Sequence, residues 1–163
     1  MPKDAITRYS VDQLVEARKF ATRVKRNTLY SNDPKVPERE LLIPLRRADS
    51  PAIDLVLEFC GRVKTQSLPG VAPGQRPSAS LIWHGKRIRC LDHKIKHEVV
   101  QNGVVTGSIS GWHEHYWTDE DEDSAVRQPD PPVKNRDLQS IIKWCSTNWN
   151  IEGINLQSEL FNE

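Results

Sequence analysis

The triplet His113-Glu114-His115 carries the strongest chemical signal in the chain. Alternate residues of a strand point to one face, so a strand through this triplet projects two imidazoles side by side. Trp117 shares their parity, and Trp112, Glu114 and Tyr116 point the other way. Asp92, His93 and His97 lie a short distance upstream, where an antiparallel return brings them beside the His113 strand. Two chemistries use such a set. A divalent ion such as zinc, manganese or iron takes His113 and His115 with Asp92, His93 or His97 as ligands, Asp92 foremost, and keeps a position open for a water nucleophile. Without metal, two histidines flanking a phosphodiester act as general base and general acid, while Arg87, Arg89 or Lys96 stabilises the charged transition state. A third reading needs no chemistry: His113 and His115 are surface residues of an antiparallel strand whose opposite face is core.

The rest of the chain bounds these options. Its 163 residues, 37% hydrophobic and 28% charged, with a mean hydropathy of -0.62, suit a single polar domain over residues 1–163. No apolar run approaches the roughly 18 residues of a membrane span, which excludes a transmembrane role. Met1-Pro2-Lys3-Asp4 does not open a secretory signal, and three cysteines cannot close a disulfide framework, so a cytoplasmic location is expected. Cys60, Cys90 and Cys145 have no C-x-x-C partner and read as buried free thiols. The net charge of +1 hides an asymmetry: residues 1–97 hold 19 Lys or Arg against 10 Asp or Glu, and residues 98–163 hold 4 against 12. The pI near 7.8 argues against a wholly basic nucleic-acid module and leaves a local basic patch as the route to RNA or DNA.

The elements that must position the histidines follow from periodicity. Ser10-Val11-Asp12-Gln13 has capping-box spacing and predicts a helix over about 11–26. A sheet is expected over about 40–118. Within it, Pro44 argues for an edge position or a bulge in the first strand. Leu55, Leu57 and Phe59 line one face of the next strand, and His84-Gly85-Lys86 turns a hairpin. Three Pro and two Gly make 67–79 a long loop. An acidic and Pro-rich connection over 119–135 leads to a helix over about 136–149, capped by Asn135, with Leu138, Ile141, Ile142, Cys145 and Trp149 as its core stripe. The expected class is α+β, a four- to five-stranded antiparallel sheet flanked by an N-terminal and a C-terminal helix.

Between Leu81 and Trp149 the chain resembles a family of small, mostly uncharacterised bacterial and phage proteins. The shared features are Arg89-Cys90-Leu91-Asp92, His97 with Asn102-Gly103, His113-Glu114-His115-Tyr116, the acidic Asp119–Asp123 turn, and Trp144 to Ile151. The R-x-x-D strand before H-x-H is also similar to the compact TumE-type toxins, which resemble RelE-like ribonucleases in outline. The likeness implies a mobile-element or toxin–antitoxin context. The resulting expectation is a nucleic-acid-directed phosphodiesterase or ribonuclease. In it His115 is base or ligand, His113 its partner, and Asp92 an orienting or ligating carboxylate beside His97. Arg87, Arg89 and Lys96 contact phosphate, and Trp117 stacks on a base. The competing expectation is a non-catalytic inhibitor that binds a host defence protein or a cognate toxin or antitoxin through its acidic turn and Trp-rich strand.

Overall fold

A computed structural model describes residues 5–22, 25–27, 38–50, 52, 54–62, 78–135 and 138–154. Nine strands and two helices are formed among them: α1 (Arg8–Glu16), β1 (Lys19–Ala21), β2 (Lys25–Asn27), β3 (Glu38–Arg47), β4 (Leu55–Arg62), β5 (Ser78–Trp83), β6 (Lys86–Gln101), β7 (Val104–Thr118), β8 (Glu122–Arg127), α2 (Leu138–Asn148) and β9 (Ile151–Glu152). The strands make one sheet in the order β8-β7-β6-β5-β4-β3-β1-β9, with β2 also on β3. All pairings are antiparallel except β1 with β9. The expectation of four or five antiparallel strands is therefore corrected to a nine-stranded mixed sheet. Of the extra strands, β1, β2 and β9 are segments of two or three residues that exist only through distant partners, and β8 pairs with β7 across the acidic turn.

The first helix shows the same competition. Thr7, not Ser10, is its N-cap: Thr7 Oγ1 accepts from the Ser10 amide, and Ser10 Oγ accepts from the Thr7 amide. The helix ends at Glu16 rather than near 26, because Lys19, fully buried, turns its ammonium back onto the carbonyls of Leu14, Val15 and Ala17 at 2.7, 2.8 and 2.5 Å. Those carbonyls are among the unpaired acceptors at a helix C-terminus, and a cation is the favoured partner there. The chain then leaves as β1. Pro44 lies inside a central strand, opposite Val56. It falls where the neighbouring edge passes from β1, paired to 45–47, to β2, paired to 40–42, so its missing N–H interrupts no ladder.

Val11, Leu14 and Val15 of α1, Ile141, Trp144 and Cys145 of α2, and Trp149 just beyond it pack with Ile43, Leu45, Leu55, Leu57, Phe59, Ala79 and Leu81 in one core. The alternation read in β4 is thus the core face, and Leu57, wholly buried, is worth about 2–5 kcal/mol against Ala. The acidic run is not all connection: Asp119–Asp121 turn, and β8 starts at Glu122. Of the loop expected over 67–79, residues 67–77 lie outside the described residues, and Ser78 and Ala79 already belong to β5. Residues 136–137, where the second helix was expected to start, also lie outside them. No described helix is long and apolar enough to cross a membrane.

Candidate metal centre

Asp92 of β6 stands directly opposite His113 of β7, and Cys90 opposite His115. These residues share the sheet face turned away from the helices, while Leu91 and Glu114 take the core face. His97 would not join them in a regular ladder. Lys94 pairs with Gly111 and His97 with Ile109, so β6 carries one extra residue across from Ser110. This bulge moves His97 onto the parity of Asp92 and bends the strand. At the same place Gly111 has φ +85°, a conformation that favours glycine.

The bend is large. From Gly103 to Thr118 a straight strand would cover about 50 Å. Yet the carboxylate of Asp121, three residues beyond Thr118, accepts the amides of Asn102 and Gly103, both at 2.9 Å. The β6–β7 hairpin therefore doubles over, and its outer half returns across the inner one. His97, which a straight ladder would leave about 13 Å from His113 and 20 Å from His115, has its ring 4.6 and 4.9 Å from theirs. The His113 and His115 rings are 5.1 Å apart.

Each imidazole is oriented by the backbone. His113 Nδ1 lies 3.1 Å from Gly111 O, His115 Nδ1 3.1 Å from Asp123 O, and His97 Nδ1 2.7 Å from Glu98 O. A carbonyl can only accept, so each Nδ1 carries a proton, and in the neutral ring Nε2 presents a lone pair. Backbone carbonyls fix metal-binding histidines in this way. The three side chains offer ligand atoms within 4.8 Å of one another. His113 and His115 are buried, His97 half-buried.

His113 Nε2 is buried without a hydrogen-bond partner, and 3.8 Å away stands Asp92 Oδ2. With Nδ1 protonated, this is a lone pair facing a carboxylate oxygen, an arrangement that a cation between the two atoms would satisfy. A second proton on the ring is opposed: burial lowers the pKa of His113, against the pull of the Gly111 carbonyl and Asp92. Burial, with the charge of Arg87, lowers that of His115 to about 4. Two ligands of a tetrahedral ion with bonds of about 2.1 Å lie about 3.4 Å apart. The His113–Asp92 pair at 3.8 Å is within about half an ångström of that spacing, and the three imidazole ligand atoms, within 4.8 Å of one another, would draw together by up to about 1.4 Å.

Of the other residues singled out in the sequence, Arg87 stays at the rim. It is half-exposed and holds Asp123 at 2.7 Å, the residue whose carbonyl orients His115. Lys96 is exposed on the bulge. Arg89 and Trp117 do not belong to the site. Arg89 is buried on the core face against Asp12 at 2.9 Å and Glu114 at 3.6 Å, because the β-bulge opposite Leu81 and Ile82 separates it from Arg87. Trp117 lies in the core cluster. His93 packs its ring edge-on to Trp112, 5.2 Å away. Three of the five acidic residues of the turn are engaged internally: Asp119 accepts the Arg8 amide, Asp121 holds the hairpin tip and Asp123 holds Arg87, while Glu120 and Glu122 are exposed. Cys90 and Cys145 are free and buried, with burial pushing the Cys90 thiol up to about 11, so neither is an activated nucleophile. The side chain of Cys60 lies outside the described residues.

Sequence reasoning missed four contributors: Gly111, Asp121 and the carbonyls of Glu98 and Asp123. Only Gly111 left a signal, a glycine immediately before the aromatic strand. No protein-family model, curated protein or solved structure matches this chain.

Proposed function

We propose that the protein is a metal-dependent phosphodiesterase acting on RNA or DNA, with zinc or manganese held by His97, His113, His115 and Asp92. The observation that carries this reading is the buried lone pair of His113 Nε2 set 3.8 Å from a carboxylate oxygen. Four protein ligands leave one position on a five-coordinate zinc and two on a six-coordinate manganese. The bound ion supplies Lewis acidity and an activated water. The chain supplies the rest. Gly111, Asp123 and Glu98 carbonyls keep the imidazoles in one tautomer, and the Asp92 carboxylate is held by the His93 amide at 2.8 Å. Arg87 and Lys96 give the rim the positive charge that a phosphodiester needs, Arg87 close enough to act on the titration of His115. A mobile-element or toxin–antitoxin context, which the resemblance implies, is part of this proposal.

The test is metal content by mass spectrometry on protein purified without a histidine tag, alongside turnover of RNA and DNA with and without added zinc or manganese. Near-stoichiometric metal and metal-dependent cleavage are expected in the wild type, and neither in the His113→Ala, His115→Ala double variant. Cleavage that ignores both metal and these substitutions, or a wild type that binds no metal, overturns the proposal.

A further inference from the structure

The folded-over half of the hairpin is unlike the rest of the sheet. From Lys96 to Gly111 no residue is buried, and Val104 and Val105 at its tip are 62% and 55% exposed. It adds nothing to the hydrophobic core. Three features tie it down: the bend at Gly111 and the bulge, the Asp121 carboxylate on the Asn102 and Gly103 amides, and the ring of His97 resting on His113 and His115. A segment in which no residue is fully buried opens at less cost in free energy than the core strands. A glycine at positive φ beside a bulge is a place where the change of direction can be absorbed.

We infer that residues 97–110 form a lid that swings about Gly111 and is latched by Asp121, and that a metal ion on the three histidines is what holds it shut. The inference rests on the metal reading of the site and adds its regulation. His97 is the one ligand carried by the lid, while His113, His115 and Asp92 stay on the fixed sheet. An ion that binds all four residues therefore binds the closed state better than the open one, and shifts the population toward it. A substrate strand enters with the lid open, and closure over it excludes bulk water and brings His97 into the site. The latch is set in the turn next to Asp123, so the same short segment orients His115 and clasps the lid.

Hydrogen exchange of the full chain, with zinc chloride as the probe, tests this. In the metal-free protein, Asp121→Ala removes two carboxylate–amide bonds and should speed exchange of the amides at 102–108 about tenfold, with β4 and β5 unchanged. Saturating zinc should slow the same amides in the wild type. His97→Ala should keep zinc on the remaining residues with affinity reduced about tenfold or more, and should show no zinc-dependent slowing in the lid. Zinc that binds the wild type and leaves exchange at 98–110 untouched overturns the lid and spares the metal site. Failure of zinc to bind overturns the metal reading and this inference with it. Asp121→Ala exchange equal to wild type removes the latch.

Discussion

Glu114 and its two neighbours in sequence, His113 and His115, are all buried on one strand, yet the two faces of β7 treat their polar atoms differently. On the core face Glu114 accepts from Arg127 Nε at 2.9 Å and from Trp149 Nε1 at 3.2 Å, with Arg89 Nε 3.6 Å away and itself tied to Asp12. Two carboxylates meet two guanidinium groups, and the network joins α1, β6, β7, β8 and the end of α2. On the other face His113 Nε2 meets the Asp92 carboxylate, Oδ2 standing 3.8 Å away. Each arrangement leaves one buried atom without a hydrogen bond: on the core face a donor, Arg89 Nε, with a carboxylate beside it, and on the other face His113 Nε2, an acceptor facing an acceptor, which a cation between the two would satisfy. Burial of polar groups is thus no pointer to function by itself. The sign of what remains unmatched is.

This contrast can be broken on the core face first. Glu114→Ala leaves Arg89 buried beside Arg127 with half its counter-charge gone, and should cost about 3–5 kcal/mol in denaturant unfolding, the largest effect expected of any polar substitution here. A loss under about 1 kcal/mol would mean that the network is not what it looks like. On the histidine face the matching experiment is addition rather than removal. Zinc at a hundred times its dissociation constant should stabilise the wild type by about 2.7 kcal/mol and the His113→Ala, His115→Ala variant not at all, read by thermal melting.

Acidification separates the faces next. In the folded chain the His115 pKa is lowered to about 4 from an ordinary value near 6.5. As pH falls through about 6.5 the unfolded chain takes up a proton that the folded chain refuses. Metal-free stability should therefore decline between about pH 6.5 and 4 and level off below, and zinc affinity should fall over the same range. His115→Gln should flatten the slope. A wild-type melting temperature constant across that window would show that His115 is not held neutral by burial.

What the sequence made legible divides along the same line. The H-x-H strand, the hairpin at His84-Gly85 and the alternation of Leu55, Leu57 and Phe59 are local patterns, and each produced the element it predicts. The opposition of Asp92 and His113 follows from hairpin register. The failures are mostly cases in which a partner outside the pattern decides. Lys19 looks like a solvated helical lysine until the carbonyls it caps are known, and β1, β2 and β9 have only two or three residues apiece and no pattern of their own. Arg87 and Arg89 look equivalent at i and i+2, but a bulge sends one to the rim and the other to the core. His97 was grouped with the site for its nearness in sequence. Its actual place depends on one extra residue in β6, a glycine at positive φ and an aspartate 24 residues away that pulls the hairpin tip home.

The smallest effect is also the sharpest test of the contrast. If Asp92 and His113 confront each other as two acceptors, replacing one of them by a donor should relieve the metal-free protein. Asp92→Asn keeps the oxygen that accepts from the His93 amide and puts an amide NH2 where Oδ2 stood, facing the lone pair of His113 Nε2. One new hydrogen bond to a buried atom that now has none should stabilise the metal-free fold by about 1 kcal/mol, while zinc affinity drops because an anionic ligand has become neutral. The corresponding change on the core face, Glu114→Gln, should go the other way in the same assay, since it weakens a set of bonds already made. A substitution that raises stability and lowers metal affinity together is what a site kept for binding rather than for folding predicts. If Asp92→Asn instead destabilises the metal-free protein, the Nε2 atom of His113 was not a lone pair awaiting a cation, and the two faces of β7 do not differ in kind.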